Sequence, residues 1–149
     1  MRAVVQRVLR AEVRVAGECI AEMGLGLLAL VGVGPEDGTD AAQDLARRMV
    51  HLRIFEDASG KMNRSLLEVG GALGVVSQFT LMGDARGGRR PSFTGAARPE
   101  QAEPLVARLV EAARALGVPV VTGRFGARMD VSLVNAGPVT VLLDTDRRF

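Results

Sequence analysis

The chain has no tryptophan and no tyrosine, one cysteine, one histidine, and a single lysine, Lys61, among 19 basic residues; all the others are arginine. Each scarcity excludes something. One cysteine, Cys19, rules out an internal disulfide and a multi-cysteine metal centre, and in its alternating stretch it reads as a packed or half-exposed thiol. The one histidine, His51, follows Arg47 and Arg48 at the end of a predicted helix, with no Asp, Ser or Cys at a spacing that marks a partner. It reads as a residue complementing the helix dipole rather than the base of a Ser-His-Asp hydrolase. There is no HExxH and no His/Cys/carboxylate cluster, so neither metal nor cofactor is expected. The longest apolar run, Leu25 to Val33, is interrupted by glycine and is far short of a membrane span. No basic segment followed by an apolar one opens the sequence, which predicts a soluble cytoplasmic protein.

What is present is a 149-residue chain, 48% apolar, whose core must be Val, Leu, Ala and Met because the only aromatics are five phenylalanines. The length predicts one domain, residues 1–149. A net charge of +2 with a pI near 9.4 is mildly basic, too little to imply nucleic acid by itself. The arginine bias suits bidentate phosphate contacts, and a compositional bias of the coding genome explains it equally well.

Period-2 patterning predicts strands at 2–9, 12–16 and 18–23, with Arg7 and Arg14 on the polar face. The run 25–34 reads as a strand buried on both sides. A helix capped by Thr39 or Asp40 is predicted to about Leu52, a short strand at 53–56, irregular chain at 62–71, and a strong strand from Ala72 to Leu81. Residues 82–98 form a long Gly- and Arg-rich loop, and a helix opened by Pro99 and Glu100 runs to about Leu116. Strands at 118–122, 129–134 and 139–144 complete the chain. Strands that follow one another without helices point to an α/β domain of packed mixed and antiparallel sheets with two helices.

Three stretches carry chemistry. In SLVNAGPVTVLL, Asn135-Ala136-Gly137-Pro138 interrupts an apolar strand pattern. It is either a hairpin turn or a rigid backbone element presented to a ligand or partner. Ser77-Gln78-Phe79-Thr80 places two hydroxyls and an amide at a strand end, as a site lining or as a turn cap. The loop 82–98 holds Arg86, Arg89, Arg90 and Arg98 against Asp84; it is either a polyanion-binding lid or a solvated loop.

Taken together, SQFTL at 77–81, RRPSF at 89–93, TGRFGARM at 122–129 and SLVNAGPVT at 132–140 resemble the D-aminoacyl-tRNA deacylase family. MRAVVQRVLRAEVRV and KMNRSLLEVGG at 61–71 match it too, so the resemblance covers essentially the whole chain. It implies a compact β/β/α fold acting as a homodimer on aminoacyl-tRNA without cofactor or metal. Carried over residue by residue, Ser77, Gln78, Phe79 and Thr80 form the floor of an aminoacyl pocket. Gly137 and Pro138 form a cis element reaching the partner's pocket, Arg7 holds that element, and Phe125 and Met129 line the pocket or support the loop. Two positions depart from the family pattern: Ala136, where aspartate is common, and Arg128, where an acidic residue is common.

The reaction implied is hydrolysis of the ester between a D-amino acid and the terminal adenosine of tRNA. A backbone N–H at Phe79 or Thr80 is the candidate oxyanion donor, and the Thr80 hydroxyl positions more readily than it attacks, since nothing in the sequence supplies its base. The tRNA 2′-hydroxyl assists. Arg86, Arg89 and Arg90 are the expected tRNA contacts. Rejection of L substrates by clash with the Gly137-Pro138 carbonyl frame implies that glycyl-tRNA is also hydrolysed. The competing readings are a non-catalytic RNA-binding dimer and a relative acting on achiral or L-aminoacyl-tRNA.

Overall fold

The computed structural model describes residues 1–148. One long strand, β1 (Arg2–Val15), organises the sheet. It pairs antiparallel with β2 (Glu18–Met23), with β3 (Gly26–Gly32) and with β8 (Asp130–Asp144). β3 continues in parallel to β6 (Ala72–Ser77), and β6 in parallel to β7 (Val120–Thr122). The sheet is therefore mixed. β3 is buried along nearly its whole length, as its continuous apolar run predicts.

Two helices cover one face. In α1 (Thr39–Val50) the buried residues Ala42, Leu45, Ala46, Met49 and Val50 recur at helical spacing. α3 (Pro99–Ala115) buries Ala102, Leu109, Val110 and Ala113. They pack on Val5, Leu27, Ala29, Val31, Leu73 and Val75 in the larger core. A second core joins Leu28 and Val76, on the sheet's other face, to Val8, Ala11 and Val13. The far half of β1 thus folds over the near half, giving a β/β/α layering. No helix among the described residues is long and apolar enough to cross a membrane.

Several expectations are corrected. The strands at 2–9 and 12–16 are one strand, and Arg7 is not on its polar face: Ala3, Val5 and Arg7 alternate onto the buried side, leaving Arg7 9% exposed. The stretch 62–71 is not irregular. It contains β5 (Met62–Arg64), paired with β4 (Phe55–Glu56), and a third helix, α2 (Leu66–Val69). A capping box starts α2: the Ser65 hydroxyl accepts from the Glu68 N–H at 3.3 Å, and the Glu68 carboxylate accepts from the Ser65 N–H at 2.7 Å. The strand at 72–81 ends at Ser77, and Phe79–Met82 coil into a 3₁₀ turn. Gly38, not Thr39 or Asp40, precedes α1. The two strands at 129–134 and 139–144 are one, β8, which runs through the Gly-Pro step rather than turning at it.

Candidate active site

Where β3 and β6 end, a cavity of about 520 Å³ opens between the sheet and α3. Its walls are apolar, from Val31, Val76, Ala102, Val106 and Met129, and its polar edge is Ser77 and Gln78. Phe79 and Phe125 complete the lining. A cleft with apolar walls and a few polar groups on one side is the usual form of a small-ligand site. Of the residues the sequence marked, Ser77, Gln78, Phe79, Phe125 and Met129 meet here.

The floor is a strand end that has stopped pairing. Gln78 still donates its N–H to the Val31 carbonyl at 2.7 Å; then the chain coils, and Leu81 and Gly83 bond back to Gln78 and Thr80 at 3.3 and 3.0 Å. The N–H groups that open such a turn, those of Phe79 and Thr80, have no acceptor within it. The Gln78 amide donates to the exposed Thr80 hydroxyl. No carboxylate, imidazole or amine bonds that hydroxyl among the described residues. Thr80 itself lies just outside the cavity lining.

Gly137 and Pro138 stand elsewhere. Between Gln6↔Thr140 and Val8↔Asn135, two residues of β1 face a five-residue advance of β8, so Ala136–Val139 loop out of the sheet. The Gly137-Pro138 bond is cis, and both residues are exposed. Gly137 has φ +145°, and a Cβ there would meet the Val139 Cγ2 at 2.7 Å and the Arg7 guanidinium at 3.2 Å. Only glycine fits.

Two side chains hold this loop. The buried Arg7 donates from Nε to the Ala136 carbonyl at 2.8 Å and from Nη1 to the Ile54 carbonyl at 2.6 Å. Its other nitrogen is 3.7 Å from Glu56. Asn135 closes the loop's neck: its amide donates to the Val139 carbonyl at 3.0 Å and to Gln6 at 3.1 Å, while its carbonyl accepts from the Val139 N–H at 2.7 Å. The sequence reading missed the Ile54 carbonyl and the Asn135–Gln6 pair. Asn135 was visible as a turn residue, but its partners lie across the sheet. Neither Arg7, Gly137 nor Pro138 lines this chain's own cavity.

The basic loop is partly ordered. Asp84 and Ser92 exchange two backbone hydrogen bonds of 2.8 Å, and the Ala97 N–H bonds to the Val33 carbonyl at 2.8 Å, so its far end walls the cavity. Arg86 is occupied: it grips Asp84 at 2.9 and 2.6 Å and holds that carboxyl well below the usual carboxylate range. Arg89 and Arg90 are exposed and make no hydrogen bond or ion pair among the described residues.

The family model described as D-Tyr-tRNA(Tyr) deacylase matches residues 4–144. The chain belongs to that family. Among similar proteins, the D-aminoacyl-tRNA deacylase of Symbiobacterium thermophilum is 58% identical over the whole chain and 99% of its own length. That of Thermomicrobium roseum is 59% identical over 97% of this chain and 94% of its own. A solved structure described as c-Myc DNA unwinding element binding protein superposes with a TM-score of 0.92 at 40% identity, covering 97% of this chain and 99% of that one. Against this deacylase background the cavity at the SQFT turn is the candidate catalytic pocket, and the Gly137-Pro138 loop lies outside it.

Proposed function

We propose that the chain hydrolyses the ester of D-aminoacyl-tRNA as a homodimer in the cytoplasm, each Gly137-Pro138 loop serving the partner's pocket. The observation that carries the reading is the pairing of an open pocket with a rigid, exposed loop that is absent from it. A loop fastened by a buried guanidinium and an asparagine clasp, whose Gly137 and Pro138 are not among the residues lining its own chain's cavity, fits a role in a second copy. β8 pairs only with β1 in the described chain, and it leaves Val134 and Leu142 exposed, so a long apolar edge is available for that copy.

In this assembly the terminal adenosine and ester enter at Ser77–Thr80. The N–H groups of Phe79 and Thr80 stabilise the oxyanion as water attacks the ester carbon; one such donor is worth roughly 10²–10³ in rate. No side-chain base bonds Thr80 among the described residues, and the tRNA's 2′-hydroxyl orients the water. The partner's Gly137 and Pro138 carbonyls accept from the α-ammonium. With ammonium and ester both fixed, an L side chain strikes the loop and a D side chain points away from it. Glycine presents nothing to reject, so glycyl-tRNA is hydrolysed as well.

The test is ester loss from D-Tyr-, L-Tyr- and Gly-tRNA under one set of conditions. Rapid loss from the D and glycyl esters with the L ester spared is expected. Equal loss from D and L esters would remove the chiral gate, and no loss from any of them would leave an RNA-binding dimer.

A further inference from the structure

In a chain with five aromatic side chains, two stand exposed side by side. Phe79 is 58% exposed and Phe93 38%, yet their rings form an edge-to-face pair with centroids 5.2 Å apart and planes at 72°. By contrast Phe55 lies in the core and Phe125 in the cavity wall. The pair is built, not incidental. A Cβ on Gly83 would stand 2.9 Å from the Phe93 ring, so glycine lets the ring close on the turn that carries Phe79. The Asp84–Ser92 bridge brings the chain back so that Phe93 arrives there. Phe79 lies on the cavity rim, and the same loop carries Arg89 and Arg90, whose charges are uncommitted.

We infer that the Phe79–Phe93 pair is a stacking platform for the unpaired base preceding the terminal adenosine of the tRNA, with Arg89 and Arg90 drawing in the adjoining phosphates. Single-stranded nucleic acid is held in this way, by aromatic faces that accept any base and by cations that follow the backbone. The inference rests on the reading that the cavity takes the aminoacylated terminal adenosine. It adds a contact one nucleotide further out, which explains why apolar rings lie open to water beside a basic loop.

The test compares D-Tyr-tRNA with 3′-O-D-tyrosyl-adenosine, which lacks the preceding nucleotide, on the full-length protein and on Phe93→Leu and Phe93→Trp. Loss of a base–aromatic stack lowers affinity roughly 5- to 150-fold. Phe93→Leu should therefore raise KM for D-Tyr-tRNA by roughly that factor more than for the adenosine ester, and Phe93→Trp should restore it. Equal changes on both substrates would overturn the platform. So would weaker subunit association of Phe93→Leu in sedimentation, which would place the rings in a protein contact. If the unaltered protein hydrolyses neither ester, the deacylase reading fails as well, and that outcome is distinct from the other two.

Discussion

Arg7 is the residue on which the loop geometry turns. Its guanidinium is buried and spans two carbonyls, that of Ala136 on the loop and that of Ile54 before β4. Hydrogen bonds from a charged donor contribute more than neutral ones, and buried carbonyls left without a donor are costly. Arg7→Ala is expected to cost about 2–4 kcal/mol in denaturant unfolding and to narrow the D-to-L ratio in ester hydrolysis. Arg7→Lys keeps the charge, but one ammonium cannot replace a planar fork at both carbonyls; it should recover part of the stability and less of the selectivity. A selectivity unchanged in both variants would mean that the loop is fixed without Arg7. Thr80 offers the opposite expectation. Its hydroxyl accepts from Gln78 and no base bonds it among the described residues, so Thr80→Ala should reduce kcat by no more than about tenfold, the worth of one lost neutral hydrogen bond. A fall of several orders of magnitude in single-turnover hydrolysis would make it the nucleophile.

At the scale of elements, the β4–β5 hairpin forms the far anchor of Arg7 through Ile54 and Glu56. Its turn is closed by Asp57, whose carboxylate accepts from the Ser59 hydroxyl at 2.7 Å and from the Ser59 and Lys61 N–H groups at 2.8 and 3.1 Å. These bonds, the Ser59 hydroxyl's first, lower its pKa to about 2. An unfolded aspartate titrates near 3.9. The folded value is the lower one, so the contribution is complete above the unfolded pKa and is lost as pH falls through about 2. The amide shifts of Ser59 and Lys61 should titrate with a midpoint near 2; a midpoint near 4, the ordinary aspartate range, would contradict the clasp.

How far these elements were legible depended on how local their causes are. α1, α3 and β3 follow from spacing alone, because their buried faces are written in consecutive residues. α2 was read as irregular chain: Ser65 and Glu68 carry its capping box, but its four residues leave no periodicity to see. The continuity of β8 was not. Gly137-Pro138 reads locally as a break, and only pairing with β1 on both sides of the loop keeps the strand in line. Arg7 misled for a related reason: charge suggests the solvent face, while the alternation from Ala3 and Val5 places it inside, against carbonyls far away in sequence. In the site, Ser77–Phe79, Phe125 and Met129 were legible as motif residues. Ala102 and Val106, on a helix with an ordinary apolar face, were not.

On the scale of the whole molecule, a mixed sheet folds over itself and carries two helices on its outer layer, with the pocket at one end of that sandwich and the loop projecting from an edge strand. A single copy therefore carries the pocket and the loop apart, and the proposed chiral site needs the two joined across a pair of copies. The most direct measurement of the proposed sharing is complementation in mixed dimers. Ala97→Phe fills the pocket and leaves the loop; Gly137→Ala places a Cβ against Val139 and Arg7 and leaves the pocket. Each variant homodimer should be inactive on D-Tyr-tRNA, whereas a purified mixed dimer should regain one working site, formed by the intact pocket of one subunit and the intact loop of the other. A mixed dimer as inactive as its parents would show that the loop serves its own chain's pocket, contradicting the shared site.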